Sequence, residues 1–134
     1  MKGISDLKTL LGSMKPKVIE GEYVFCTISP LQYSELRIKP LCIFHEEEGV
    51  TIIVKRNLAE RNSLLYSNVW ALITLTVHSD LAAIGFLATI TSKLAKAGIS
   101  VNVVSAYYHD HLFVPIEKTD LTMQLLFELS KSRN

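Results

Sequence analysis

No apolar run in this sequence approaches the roughly 18 residues that a membrane-spanning helix needs. The opening segment, Met1-Lys-Gly-Ile-Ser-Asp-Leu7, has no continuous apolar stretch of the signal-peptide kind, so a cytoplasmic, non-membrane protein is expected. Charge of one sign is also lacking. Lys and Arg number 14 against 13 Asp and Glu, which leaves +1. Nucleic-acid binding normally needs a clustered basic face, and the nearest approach is Lys55-Arg56 with Arg61, so no nucleic-acid partner is expected. Cysteine is scarce. Cys26 and Cys42 both sit inside apolar runs and read as small reduced hydrophobes, with a disulfide or metal pair as the alternative. Catalytic signatures are missing too. There is no Gly-x-Ser-x-Gly elbow, phosphate loop or dinucleotide fingerprint, and a Cys–His pair would need a thiol exposed from apparent core. No catalytic residue, cofactor or resident metal is therefore assigned, and the chain is not expected to be an enzyme.

What the sequence does hold is a 49% hydrophobic content in 134 residues, enough for one domain or two very small ones sharing a core. Its best-defined stretch runs from residue 68 to residue 101. Val69, Ala71, Ile73, Leu75 and Val77 lie on one face of a strand, and Trp70, Leu72, Thr74 and Thr76 lie on the other. A helix over 81–97 follows, with an apolar stripe through Ala83, Phe86, Leu87, Ile90, Leu94 and Ala97. Ser79 or Asp80 is its expected N-cap. Lys93 and Lys96 suit the negative end of its dipole, and Gly98 the C′ position. Strands over 99–107 and 111–116 follow, then a helix over 117–130.

Upstream, Ile4, Leu7, Leu10 or Leu11, and Met14 predict a short helix over 4–14 that Pro16 ends. Glu20-Gly-Glu22 reads as a turn, and 23–28 as a strand. Residues 31–36 read as a helical turn. Residues 41–45 and 50–54 predict a hairpin whose tip is Glu46-Glu-Glu-Gly49, three solvated carboxylates rather than a cation loop. Residues 58–65 predict a short helix capped by Asn57.

This order predicts an α+β fold of ferredoxin-like βαββαβ units, in two interleaved copies with an antiparallel sheet and helices on one face. The expected division is a degenerate unit over 1–67 and a fuller one over 68–134. The second copy lacks a closing strand, which residues 23–28 or a partner subunit would supply.

Residues 85–99, Gly-Phe-Leu-Ala-Thr-Ile-Thr-Ser-Lys-Leu-Ala-Lys-Ala-Gly-Ile, resemble the ACT domain signature, well over 68–129 and poorly before it. Many ACT domains read Asp-x-Pro-Gly at the junction, whereas Asp80-Leu-Ala-Ala-Ile-Gly85 is longer and has no proline. Val77–Leu81 and Tyr107–Pro115 are similar to small bacterial tandem-ACT proteins of unassigned function and, more loosely, to CASTOR arginine sensors. The resemblance implies a regulatory module that binds an amino acid or similar metabolite at an interface between ACT units, and a homodimer.

The chemistry of such a ligand points to particular residues. A carboxylate suits the unpaired amides and dipole of a helix start around 81–85, where Gly85 permits close approach. Asp80 and Asp110 could meet an ammonium group, and Ser79 either group. Leu81, Ile84 and Phe86 could form an apolar wall. Asn102 lies among apolar residues and would need a polar partner. His111 could line the same pocket. As an alternative, His109 and His111 share one face of an extended strand and could hold zinc with His78 or Cys42. A dimerisation scaffold without ligand is the third reading.

Overall fold

The computed structural model describes residues 6–78, 80 and 84–131. They form two compact units, one of residues 1–20 with 71–134 and one of residues 21–70. The strand β1 (Pro16–Ile28) contributes its leading residues to the first unit and the remainder to the second.

The first unit opens with α1 (Leu7–Ser13). Asp6 is its N-cap, accepting from the Thr9 amide at 3.0 Å and the Thr9 hydroxyl at 2.7 Å. Those bonds hold the Asp6 carboxyl below its usual pKa. Then come β4 (Trp70–Leu75), α4 (Phe86–Lys96), β5 (Asn102–Ser105), β6 (Asp110–Pro115), a 3-10 turn at Ile116–Lys118 and α5 (Thr119–Lys131). Strands β4, β6 and β5 lie in that order, and β5 pairs antiparallel with β6. The β-α-β-β-α order expected from residue 69 is therefore observed. In the strand order β1 is the neighbour of β4. The Thr76 amide donates to the Met14 carbonyl at 2.8 Å, and the Thr76 hydroxyl donates to the Lys15 carbonyl at 2.9 Å.

Helices α1, α4 and α5 pack on one another. Beneath them Leu10, Met14, Ile73, Leu75, Phe86, Ile90, Leu94, Leu112 and Leu126 form a closed core. The apolar face assigned to β4 enters this core through Ala71, Ile73, Leu75 and Val77, and on the opposite face Leu72 and Thr74 are buried as well. Across α4 and α5, Lys93 meets Glu128 at 3.4 Å, a surface pair of small energetic weight.

The second unit contains the rest of β1, α2 (Pro30–Ser34), β2 (Cys42–His45), β3 (Val50–Lys55) and α3 (Arg56–Arg61). Its strand order is β2-β3-β1, all antiparallel. Val24, Cys26, Ile28, Val50, Ile52, Val54 and Ala59 form its core. Ser29 caps α2, accepting from the Gln32 amide, while the Gln32 side chain accepts from the Ser29 amide. This reciprocal box, with Pro30 at the first helical position, makes the expected turn a formed helix.

Two expectations are corrected here. Glu20-Gly-Glu22 is not a turn, because β1 runs straight through it from Pro16. Proline is tolerated as a strand's first residue, and the leading half of β1 is mostly exposed, so no apolar alternation announces it. The helix after β3 starts at Arg56 with Lys55 as cap, one residue beyond the strand and ahead of Asn57. Arg56 is held there by Glu22 at 3.0 Å, Glu60 at 3.3 Å and the Tyr66 hydroxyl at 2.9 Å. The hydrogen bonds to Tyr66 and Glu22 push its pKa further up.

Candidate functional site

The junction after β4 is built by a conformational stop. Gly85 takes φ +84°, a left-handed value that disfavours any residue with a Cβ, and α4 begins only after it. The helix expected from residue 81 therefore starts at Phe86, and its cap is Gly85 rather than Ser79 or Asp80. The first intrahelical bonds run from the Thr89 amide and hydroxyl to the Gly85 carbonyl, at 2.9 and 2.8 Å. Gly85 itself supplies no side-chain cap hydrogen bond. A helix start of this kind presents backbone amides and a positive dipole end, which suit an anion.

At the other end α4 stops as expected. The Gly98 amide donates to the Ala95 carbonyl and the Ile99 amide to the Leu94 carbonyl, both at 3.0 Å, with Gly98 at φ +75°. This is a Schellman closure.

The remaining candidate residues divide clearly. Ser79 and Leu81 lie outside the described residues. Asp80 is half-buried just ahead of the junction. Ile84 is 87% exposed and Phe86 only 2% exposed, packed in the core beneath α4. Asn102 is exposed, so water can satisfy its amide and the need for a buried partner disappears. Asp110 is buried at the start of β6, opposite Ser105 in the ladder. His111 is half-buried, with Nδ1 2.9 Å from the Thr74 hydroxyl on β4. Burial holds the His111 pKa below its ordinary value; His109 adds to this and Asp110 opposes it.

The turn between β5 and β6, closed by the Ala106 amide donating to the His109 carbonyl at 3.0 Å, carries an aromatic group not singled out from sequence. Tyr107 and Tyr108 stand edge to face, 5.0 Å apart between centroids, and His78 lies 5.6 Å from Tyr108. Two adjacent tyrosines before a His-Asp-His run were the available signal.

Metal chemistry has no assembled site among the described residues, where no group of three or more His, Cys, Asp or Glu could hold an ion. The His109 and His111 rings are 6.4 Å apart between centroids and nearly perpendicular. Cys26 and Cys42 are free thiols; burial pushes the Cys26 thiol up, which disfavours a reactive thiolate. Cys42 is half-buried rather than core. Of the three loop glutamates, Glu46 accepts a hydrogen bond from the Thr51 hydroxyl, a local tie across the hairpin. Among the described residues no helix is long and apolar enough to cross a membrane.

One ACT domain family profile matches residues 2–71, and a second ACT domain profile matches residues 69–128. No curated protein matches significantly. Among solved structures, a Vibrio cholerae protein of unknown function, described as a possible transport protein, is 42% identical. It aligns over 93% of this chain and 96% of its own, with a TM-score of 0.84. An Agrobacterium tumefaciens protein is 19% identical over 86% of this chain and 87% of its own, with a TM-score of 0.65. The ligand-free regulatory subunit of Thermus thermophilus aspartate kinase is 10% identical over 87% of this chain and 97% of its own, with a TM-score of 0.66. The last two likenesses concern the fold alone.

Proposed function

Since the chain belongs to the ACT domain family, we propose that it is a non-catalytic regulatory module that binds an amino acid at the β4–α4 junction and pairs with a second copy of itself. The supporting observation is the α4 start, where Gly85, at φ +84°, opens the helix without a side-chain cap of its own. A ligand carboxylate would accept from amides of the first turn at Phe86 and beyond. Asp80, just ahead of that turn, would face the ammonium group, flanked by Ser79 and Leu81. Asp110 and His111 on β6 would complete the polar side. Ile84 and Asn102, both exposed, would be contacts offered to the facing copy.

The regulatory reading rests on the family, and the junction is where we place the ligand. The test is thermal denaturation of the whole chain against each common amino acid at millimolar concentration. A ligand present at a hundredfold over its dissociation constant stabilises by about 2.7 kcal/mol. We expect one amino acid, or a small set, to stabilise the wild type and not the Asp80→Ala variant. If no amino acid shifts the transition, the amino-acid reading fails.

A further inference from the structure

We propose that the second unit carries a separate ligand site, beside α2, for an organic carboxylate with an apolar body and no ammonium group. The carrying feature is a hollow of about 510 Å³ lined chiefly by Tyr33, Leu36, Arg37, Ile38, Lys39 and Ile43. That volume falls within the usual range for small-molecule clefts. It shares no residue with the β4–α4 junction.

Its lining has a definite chemistry. Leu36 and Ile38 are half-buried and pack against the core of the second unit, which gives the hollow an apolar floor. Tyr33 adds a ring whose orientation is set by His45, at 5.2 Å and 85°. Arg37 and Lys39 stand on the lining segment with no carboxylate partner among the described residues. The contrast within the same unit is Arg56, which is occupied by Glu22, Glu60 and Tyr66. Moreover, the amides of Arg37, Ile38 and Lys39 make no backbone hydrogen bond among the described residues. Two cations without a carboxylate partner on one short segment favour an anion.

Among the described residues none that lines the hollow is acidic. A zwitterionic amino acid would find no counter-charge for its ammonium there, which separates this site from the junction. A bare phosphate would leave the apolar floor unused, whereas a carboxylate on a flat or branched hydrocarbon would use both halves. Arg37 can accept the carboxylate in a bidentate fork, and Lys39 adds a point charge. A solvated loop with two surface cations would need neither the hollow nor its floor.

The test uses the whole chain, amide-resolved NMR and three probes: benzoate, its uncharged isostere benzamide, and inorganic phosphate. Benzoate is expected to move the signals of residues 33–43 and to leave those of 84–88 in place. Benzamide and phosphate are expected to leave both sets in place. Arg37→Gln should weaken benzoate roughly tenfold and Lys39→Gln by less, since a charge-assisted fork is the stronger contact. Arg37→Lys keeps the charge without the fork and should also weaken binding. The proposal is overturned if benzoate moves nothing in 33–43, if benzamide or phosphate acts as well as benzoate, or if Arg37→Gln, folded by its unchanged spectrum elsewhere, binds as tightly as wild type. Movement at 84–88 alone would leave the junction reading standing and remove this one.

Discussion

Single residues set two measurable properties of the first unit. His111 is held below its ordinary imidazole pKa chiefly by burial, with His109 adding and Asp110 opposing. Between that lowered value and about 6.5, the unfolded chain binds the proton and the folded chain does not, so stability rises with pH across the window. Acidifying from pH 7 to pH 5 should therefore lower the melting temperature more in the wild type than in His111→Asn. Equal slopes for the two proteins would refute the assignment. Gly85 is the second case. Among the described residues a Cβ there would meet only Leu7 Cδ2 at 3.8 Å, an ordinary contact. The obstacle is torsional, and Gly85→Ala should cost about 1–2 kcal/mol in urea unfolding. The Gly98 closure was legible in advance because a glycine after a lysine-rich last turn has one common meaning. The capping role of Gly85 was not legible, for a related reason. Ser79 and Asp80 are good caps by composition, but nothing in composition reports the sign of φ five residues on.

At the level of elements, the helices show which signals carry. The α4 stripe placed Phe86, Ile90 and Leu94 in the core, and all three are buried. Leu94→Ala and Ile90→Ala should each destabilise by about 2–5 kcal/mol, by differential scanning calorimetry, because the closed core beneath α4 leaves little room to collapse. Helix α2 is short, and its formation rests on the Ser29–Gln32 box. Ser29→Ala should cost about 1 kcal/mol. The effect on benzoate binding should be sharper, because α2 frames the hollow. The Ser-Pro-x-Gln pattern was readable as a helix start, yet two prolines around an ambiguous stretch obscured it. Strand β1 was half legible. Its Tyr23–Ile28 portion alternates against a core, while Pro16–Glu22 is mostly exposed and has no periodicity to read.

For the molecule, the β-α-β-β-α order and the antiparallel pairing were legible from hydrophobic period and turn residues. Less legible was how the chain's ends combine. Leu10 and Met14 are fully buried in the same core as Ile90 and Leu126. That core is a product of distant segments, and no local pattern states it. A fragment of residues 68–134 should therefore lack dispersed NMR signals and a cooperative melt. Adding a peptide of residues 6–20 in trans should restore both. A fragment that melts cooperatively alone would show that α1 and the start of β1 are dispensable.

The same threading of β1 has a consequence for biosynthesis. The segment 21–70 can complete its own β2-β3-β1 ladder as soon as it leaves the ribosome. Residues 6–20 cannot bury Leu10 and Met14 until α4, β6 and α5 have been made. At about 5–20 residues per second, translating 71–131 leaves an apolar helix waiting for several seconds. Residues 6–20 are made before the segment 21–70 yet find their core after it, and that interval is when a nascent-chain chaperone would have α1 to hold.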